Sequence, residues 1–162
     1  MRPAVDQVWR WLGEVPDPEI PVISLTDLGI IRDVAWDGEV LVVTVTPTYS
    51  GCPATGVINL EIEKKLREEG VASFRLERQL SPPWTTDWIT PAARAALSAY
   101  GIAPPVGQAG RVDRLTGAGG PVPCPRCGSH KTERVSQFGS TPCKAAWRCT
   151  DCLEPFDYFK CH

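Results

Sequence analysis

The sequence predicts an α+β chain: a small mixed α/β domain followed by a second, smaller β-rich module closed by a metal. Three observations predict it. Apolar residues recur at helical spacing over 4–14 and again over 58–66, and between these stretches lie two β-rich runs joined by Asp37-Gly38. Near the C-terminus, Cys124-Pro-Arg-Cys127-Gly and Cys149-Thr-Asp-Cys152 form two CxxC pairs separated by 21 residues. Such pairs are the signature of a tetrahedral thiolate cage for zinc.

The elements follow in order. Val5, Val8, Trp9 and Leu12 define an amphipathic first helix. Pro16, Pro18 and Pro21 then force an extended, turning segment, because each fixes φ and restricts the residue before it. Ser24-Leu-Thr-Asp27 caps a short helical turn that ends at Gly29. Ile30 to Trp36 and Val40 to Pro47 form a hairpin, since Asp-Gly supplies the positive φ angles of a two-residue turn. Pro53 suits the first position of the next helix, where its missing N–H costs nothing. Ile58, Ile62 and Leu66 mark the buried face of that helix and Gly70 stops it. Ala72 to Leu80 reads as a third strand, and Leu80 to Ile89 as an irregular loop with Trp84 and Trp88 packed as a lid. Thr90-Pro91 opens an alanine-rich helix to about Tyr100. The first domain spans residues 1–102. A Gly-, Pro- and Ala-rich linker occupies 103–121, and the cysteine module occupies 122–162, with β-like runs at Lys131 to Phe138, Lys144 to Cys149 and Pro155 to Lys160.

Bulk composition excludes several functions. The chain has 162 residues, 43% of them hydrophobic and 22% charged, with a formal net charge of −2 and a pI near 5.7. Residues 1–102 carry 9 Lys/Arg against 14 Asp/Glu, and residues 103–162 carry 8 against 5. A four-thiolate zinc cage adds −2 to the second half, leaving it at about +1, so the polyanion-binding footprint is weak. The basic group Lys131, Arg134, Lys144 and Arg148 is too sparse for a nucleic-acid module and reads as a solvated or protein-docking face. No run of 18 apolar residues could cross a membrane and no export signal is visible, which predicts a cytoplasmic protein. In a reducing compartment the seven cysteines point to metal or reactive thiols rather than disulfides.

Cys124, Cys127, Cys149 and Cys152 are the predicted zinc ligands. A module of about 40 residues needs such a staple, because burial alone cannot stabilise it. With all four positions filled by thiolates the zinc has no open site for water, so it is structural. Iron in the same cage is the competing occupant, with Cys143, Cys161 and His162 as further ligands in reserve. His130 reads as an exposed turn residue.

Cys52 stands apart, in Thr46-Pro-Thr-Tyr-Ser-Gly-Cys52-Pro53, between the end of a strand and the start of a helix. A thiol facing unpaired helix N–H groups is expected to ionise below the free value of about 8.5. Gly51 would allow a sharp turn that exposes it, and Thr46, Thr48 and Ser50 could donate hydroxyl hydrogens. Residue chemistry alone leaves a reactive thiol and a plain packed cap equally open. Asp17 and Glu19 share the ambiguity, as solvated turn formers or as carboxylates lining a site with Cys52.

Asp17-Pro-Glu-Ile-Pro21, Leu25-Thr-Asp-Leu-Gly29-Ile-Ile and the Cys52 segment resemble the MIP18 family. With Cys124-Pro-Arg-Cys127-Gly, Phe138-Gly-Ser-Thr-Pro-Cys143-Lys-Ala and Glu154-Pro-Phe-Asp-Tyr-Phe-Lys-Cys161, nearly the whole chain resembles the PaaD-type family of bacterial phenylacetate degradation. That family is the D component associated with phenylacetyl-CoA epoxidase: a MIP18-like domain plus a C-terminal zinc ribbon. The resemblance implies an accessory, non-enzymatic role in iron–sulfur or di-iron centre assembly. It puts the reactive cysteine on Cys52, the acidic turn on Asp17 and Glu19, and a transient iron–sulfur cluster beside the structural zinc. Implied partners are the epoxidase components, above all the iron–sulfur reductase; a cluster carried on Cys52 would need a second copy of the chain, a client's thiolates, or Cys143 and Cys161, and composition predicts neither a membrane nor a nucleic-acid partner. Two alternatives remain. One is a thiol enzyme using Cys52 on a CoA thioester, for which no convincing base is present. The other is a ribbon serving as a docking or nucleic-acid-binding module.

Overall fold

The computed structural model describes residues 2–48, 52–106 and 121–160. The chain divides into two compact units, Met1–Thr90 and Pro91–His162.

In the first unit, α1 (Val5–Gly13) buries Val8 and Leu12 and packs against the helix and strand that follow. The proline-rich segment bends back on itself through a bridge between Pro16 and Ser24. The Ser24 hydroxyl then accepts the Asp27 amide at 3.1 Å, as its capping position predicts. Gly29 is required at its place: φ is +81°, and a Cβ there would stand 2.7 Å from Trp88 Cβ. β1 (Ile31–Asp37) and β2 (Val40–Val45) form the antiparallel hairpin, with Gly38 at φ +59° in the turn. α2 (Thr55–Glu68) crosses over to β3 (Phe74–Arg78), which runs parallel to β2, so the sheet order is β1-β2-β3. Ile58, Ile62 and Leu66 of α2 are buried, and fully burying each such side chain contributes about 1.5–3 kcal/mol. Trp84 seals this core, its indole donating to Leu28 O at 2.9 Å, and Arg32 lies 3.6 Å over the Trp88 ring. The loop read as irregular contains one turn of 3-10 helix, Thr86–Trp88, capped by Thr85.

The second unit begins with α3 (Pro91–Tyr100) and β4 (Ile102–Ala103), and continues with β5 (Thr132–Ser136), β6 (Lys144–Cys149) and β7 (Pro155–Phe159). Its sheet order is β4-β7-β6-β5, antiparallel except for the parallel β4–β7 pair. The sequence reading keeps residues 91–102 with the first domain and starts the linker at 103. In the structure Ala103 lies instead in the core of the second unit, with Val122, Cys124, Cys149 and Phe156. The rest of the predicted linker, 107–120, falls outside the described residues, as do Cys161 and His162.

Candidate metal centre and reactive thiol

The four predicted ligands converge. The sulfurs of Cys124, Cys127, Cys149 and Cys152 all lie within 4.8 Å of one another. Cys124 and Cys152 approach to 3.7 Å and Cys127 and Cys149 to 3.6 Å. Four sulfurs bound at about 2.3 Å to one tetrahedral ion stand about 3.8 Å apart, so the cage has the dimensions of a thiolate-bound metal. Main-chain amides turn toward the sulfurs: Arg126 N lies 3.4 Å from Cys124 Sγ, and Cys152 N 3.5 Å from Cys149 Sγ. Cys124 and Cys149 are buried; Cys127 and Cys152 are exposed.

Four thiols this close cannot all ionise unaided, and their proton affinities split. The amide of Cys152, with the Asp151 amide and neighbouring thiols, lowers Cys149 to about 7 against the effect of burial. Cys152 is pushed up to about 12: the Glu154 amide favours its thiolate, but burial and three neighbouring sulfurs outweigh that amide. A divalent cation would remove the conflict by holding all four as thiolates. Outside the cage, Ser129 donates its hydroxyl to Asp151, and that bond, followed by Lys131 at 3.6 Å, holds the Asp151 carboxyl below its ordinary range. This brace joins the two knuckles. The sequence reading missed it, although both residues adjoin the cysteine pairs.

Cys52 is half-buried, between β2 and α2, and Thr48 Oγ1 donates toward its sulfur at 3.9 Å. The expectation that Pro53 is the first helical residue needs correction. Pro53 and Ala54 form a turn, with Thr55 N bonded to Cys52 O at 3.2 Å, and the helix starts at Thr55 with no side-chain cap from Ala54. The regular helix therefore begins three residues after Cys52 rather than immediately after it. Of the expected hydroxyl donors, Thr48 does face the thiol. Thr46 is only 1% exposed and its Oγ1 has no hydrogen-bond partner among the described residues, while Ser50 and Gly51 fall outside them. Asp17 is buried and holds its turn: its Oδ1 accepts the amides of Glu19 at 2.9 Å and Ile20 at 2.8 Å. Glu19 is half-buried in the same turn.

The basic group of the ribbon is largely neutralised, through pairs of Lys131 with Asp151, Arg148 with Glu133 and buried Lys144 with Asp157. Cys143 is buried beside Thr141 Oγ1 at 3.0 Å. Among the described residues no helix is long and apolar enough to cross a membrane.

Fold and site together define a class: a small α/β domain bearing one half-exposed thiol, followed by a four-cysteine ribbon. The comparisons match two domains in the same order. A family described as iron–sulfur cluster assembly protein matches residues 5–73, and the PaaD zinc beta ribbon domain matches residues 108–160. The chain belongs to the PaaD family. It is 48% identical to a putative component of the 1,2-phenylacetyl-CoA epoxidase of Escherichia coli, over 98% of this chain and 94% of that one. Its first part is also similar to an Fe-S protein maturation auxiliary factor of Porphyromonas gingivalis, at 36% identity over 57% of this chain and 89% of the relative. Among solved structures, a domain of unknown function, DUF59, from Bacillus anthracis matches with a TM-score of 0.53 and 29% identity, over 57% of this chain and 90% of that one. A conserved hypothetical protein of Thermotoga maritima matches with a TM-score of 0.50 and 28% identity, over 58% and 93%.

Proposed function

We propose that this protein is an accessory factor of phenylacetyl-CoA ring epoxidation that helps load an iron–sulfur or di-iron centre through Cys52. The reading assigns no catalytic step to the chain. The observation that carries it is the separation of its thiols. Four are committed to one cage, whereas Cys52 is half-exposed within the segment that matches the iron–sulfur assembly family.

A cluster takes four protein ligands and Cys52 is one. Cargo held there keeps its remaining positions for thiolates of a client, of which the reductase of the epoxidase system is the natural choice. Release is then ligand exchange: a client thiolate bonds to iron as the Cys52–iron bond breaks, and neither iron nor sulfide changes oxidation state. In this reading Asp17 and Glu19 serve the same site, with Asp17 ordering their turn through the amides of Glu19 and Ile20. The ribbon's metal is zinc in this reading, a structural ion with no open position, and the working compartment is the cytoplasm.

The test is Cys52→Ser, with iron content of the reductase and of the di-iron oxygenase component, epoxidase activity in cells, and metal analysis of the purified chain. The expected result is loss of client iron and of activity, with one zinc per chain unchanged. Full client loading with the substituted chain would refute the role.

A further inference from the structure

The first sheet ends on a strand with one side open. β3 pairs with β2 and closes the order β1-β2-β3. In a strand, each residue directs its N–H and C=O to the same neighbour, and successive residues alternate between neighbours. Leu41 N donates to Ser73 O and Gln79 N to Val45 O, so residues 73, 75, 77 and 79 face β2. Phe74, Leu76 and Arg78 therefore turn their main-chain groups to the outer edge, which no described strand covers. Their side chains lie on the α2 side. There Leu76 lines a groove of about 360 Å³ with Glu63 and Arg67. Arg75 and Glu77 lie on the opposite face, bonded to each other at 2.9 Å, with Arg75 also 3.0 Å from Asp37.

We propose that β3 pairs antiparallel with β3 of a second copy of this chain, joining two three-stranded sheets into one of six. The order of residues in the strand argues for self-pairing. With the two-fold axis at Leu76, the outward-facing Phe74, Leu76 and Arg78 of one copy meet Arg78, Leu76 and Phe74 of the other in hydrogen-bonded positions. Arg75 then stands opposite Glu77 of the second copy, twice by symmetry. Opposite charges directly across a pair stabilise it, and like charges do the reverse. Slipping the register by two residues in either direction sets Arg75 against Arg75 or Glu77 against Glu77. The strand thus favours one register and penalises its neighbours. Charged edges usually resist pairing. This one carries its signs in the order that a two-fold axis neutralises. Five residues make a small interface, so association belongs to the weak, concentration-dependent class. The inference rests on the edge alone and is independent of the role given to Cys52.

The experiment is sedimentation velocity of the full chain over a concentration series, with Arg75→Glu and Glu77→Arg made singly. Each single variant sets like charges opposite each other twice, so its self-association should weaken by about tenfold. An equimolar mixture of the two variants restores both attractive pairs and should recover wild-type association, which a misfolded chain could not do. In the wild type, exchange of the Phe74, Leu76 and Arg78 amides should slow as concentration rises. A chain that stays monomeric throughout overturns the proposal. So does a dimer that leaves those three amides unprotected, or one that is indifferent to the charge mixture.

Discussion

In the first knuckle the Cys124 amide donates to Ser129 O at 2.9 Å; in the second the Cys149 amide donates to Glu154 O at 3.0 Å, five residues on in both cases. The leading cysteine is buried and the trailing one exposed in each. In each, the fourth residue after the leading cysteine adopts a positive φ: +75° at Gly128 and +65° at Leu153. Here the two part. Glycine takes that conformation freely, whereas for a leucine it costs about 1–2 kcal/mol. The Leu153 side chain is 73% exposed, so burial does not offset the cost. The second knuckle, however, is the turn between β6 and β7, whose pairing continues from Arg148↔Pro155 along the hairpin. Among the described residues, the first knuckle adjoins a regular strand only on its C-terminal side. Strain persists where the surrounding structure over-determines it. In this ribbon the sheet clamps one knuckle, and glycine suffices for the other.

The severest way to break the comparison is to remove a leading ligand. Cys124→Ser and Cys149→Ser should each unfold the ribbon by forfeiting metal binding worth on the order of 10 kcal/mol. Circular dichroism and metal content should show the two equally affected; tolerance of either would mean that the knuckles are not equivalent. Cys52→Ser should leave the ribbon's metal in place.

Acidity comes next. The metal-free Cys149 thiol titrates at about 7, below its ordinary value, so its contribution to the metal-bound state is present above that pH and lost as pH falls through it. Cys152, held at about 12, is protonated across the same window and adds a constant demand for one proton to leave. Metal affinity measured against a chromophoric chelator should therefore fall more steeply below about pH 7 than above it, by about one further log unit per pH unit. An unchanged slope would remove the asymmetry between these thiols.

Smaller effects sharpen the contrast at the fourth position. Gly128→Leu should destabilise the ribbon by about 1–2 kcal/mol, since the first knuckle lacks the hairpin clamp. Leu153→Gly should raise the thermal midpoint slightly, gaining less than about 1 kcal/mol because glycine's freedom in the unfolded chain offsets part of the relief. If both substitutions prove neutral, the metal alone dictates the turn in each knuckle.

Much of this was legible in the residues because the causes are local. The two CxxC pairs announce their cage through spacing, Asp37-Gly38 announces its turn through φ, and Ile58, Ile62 and Leu66 announce the buried face of α2. Other features depend on context. Pro53 is equally at home in a turn or a first helical turn, and only the bond from Thr55 N to Cys52 O decides for the turn. Leucine gives no sign of a left-handed position, so Leu153 could not be foreseen. Asp17 was readable as a turn former or a site carboxylate; its two amide bonds display the first role without removing the second.

The two residues of β4 have a practical consequence. Ile102 and Ala103 form the outer rung against Asp157 and Tyr158, and Ala103 is nearly sealed beside Val122 and Phe156. A fragment cut at residue 122, where composition suggests the scissors, would leave the flank of β7 bare and its apolar underside wet. The ribbon is therefore no transplantable cassette of forty residues. Anyone wishing to graft it, or to study it alone, should begin the excision at Pro91.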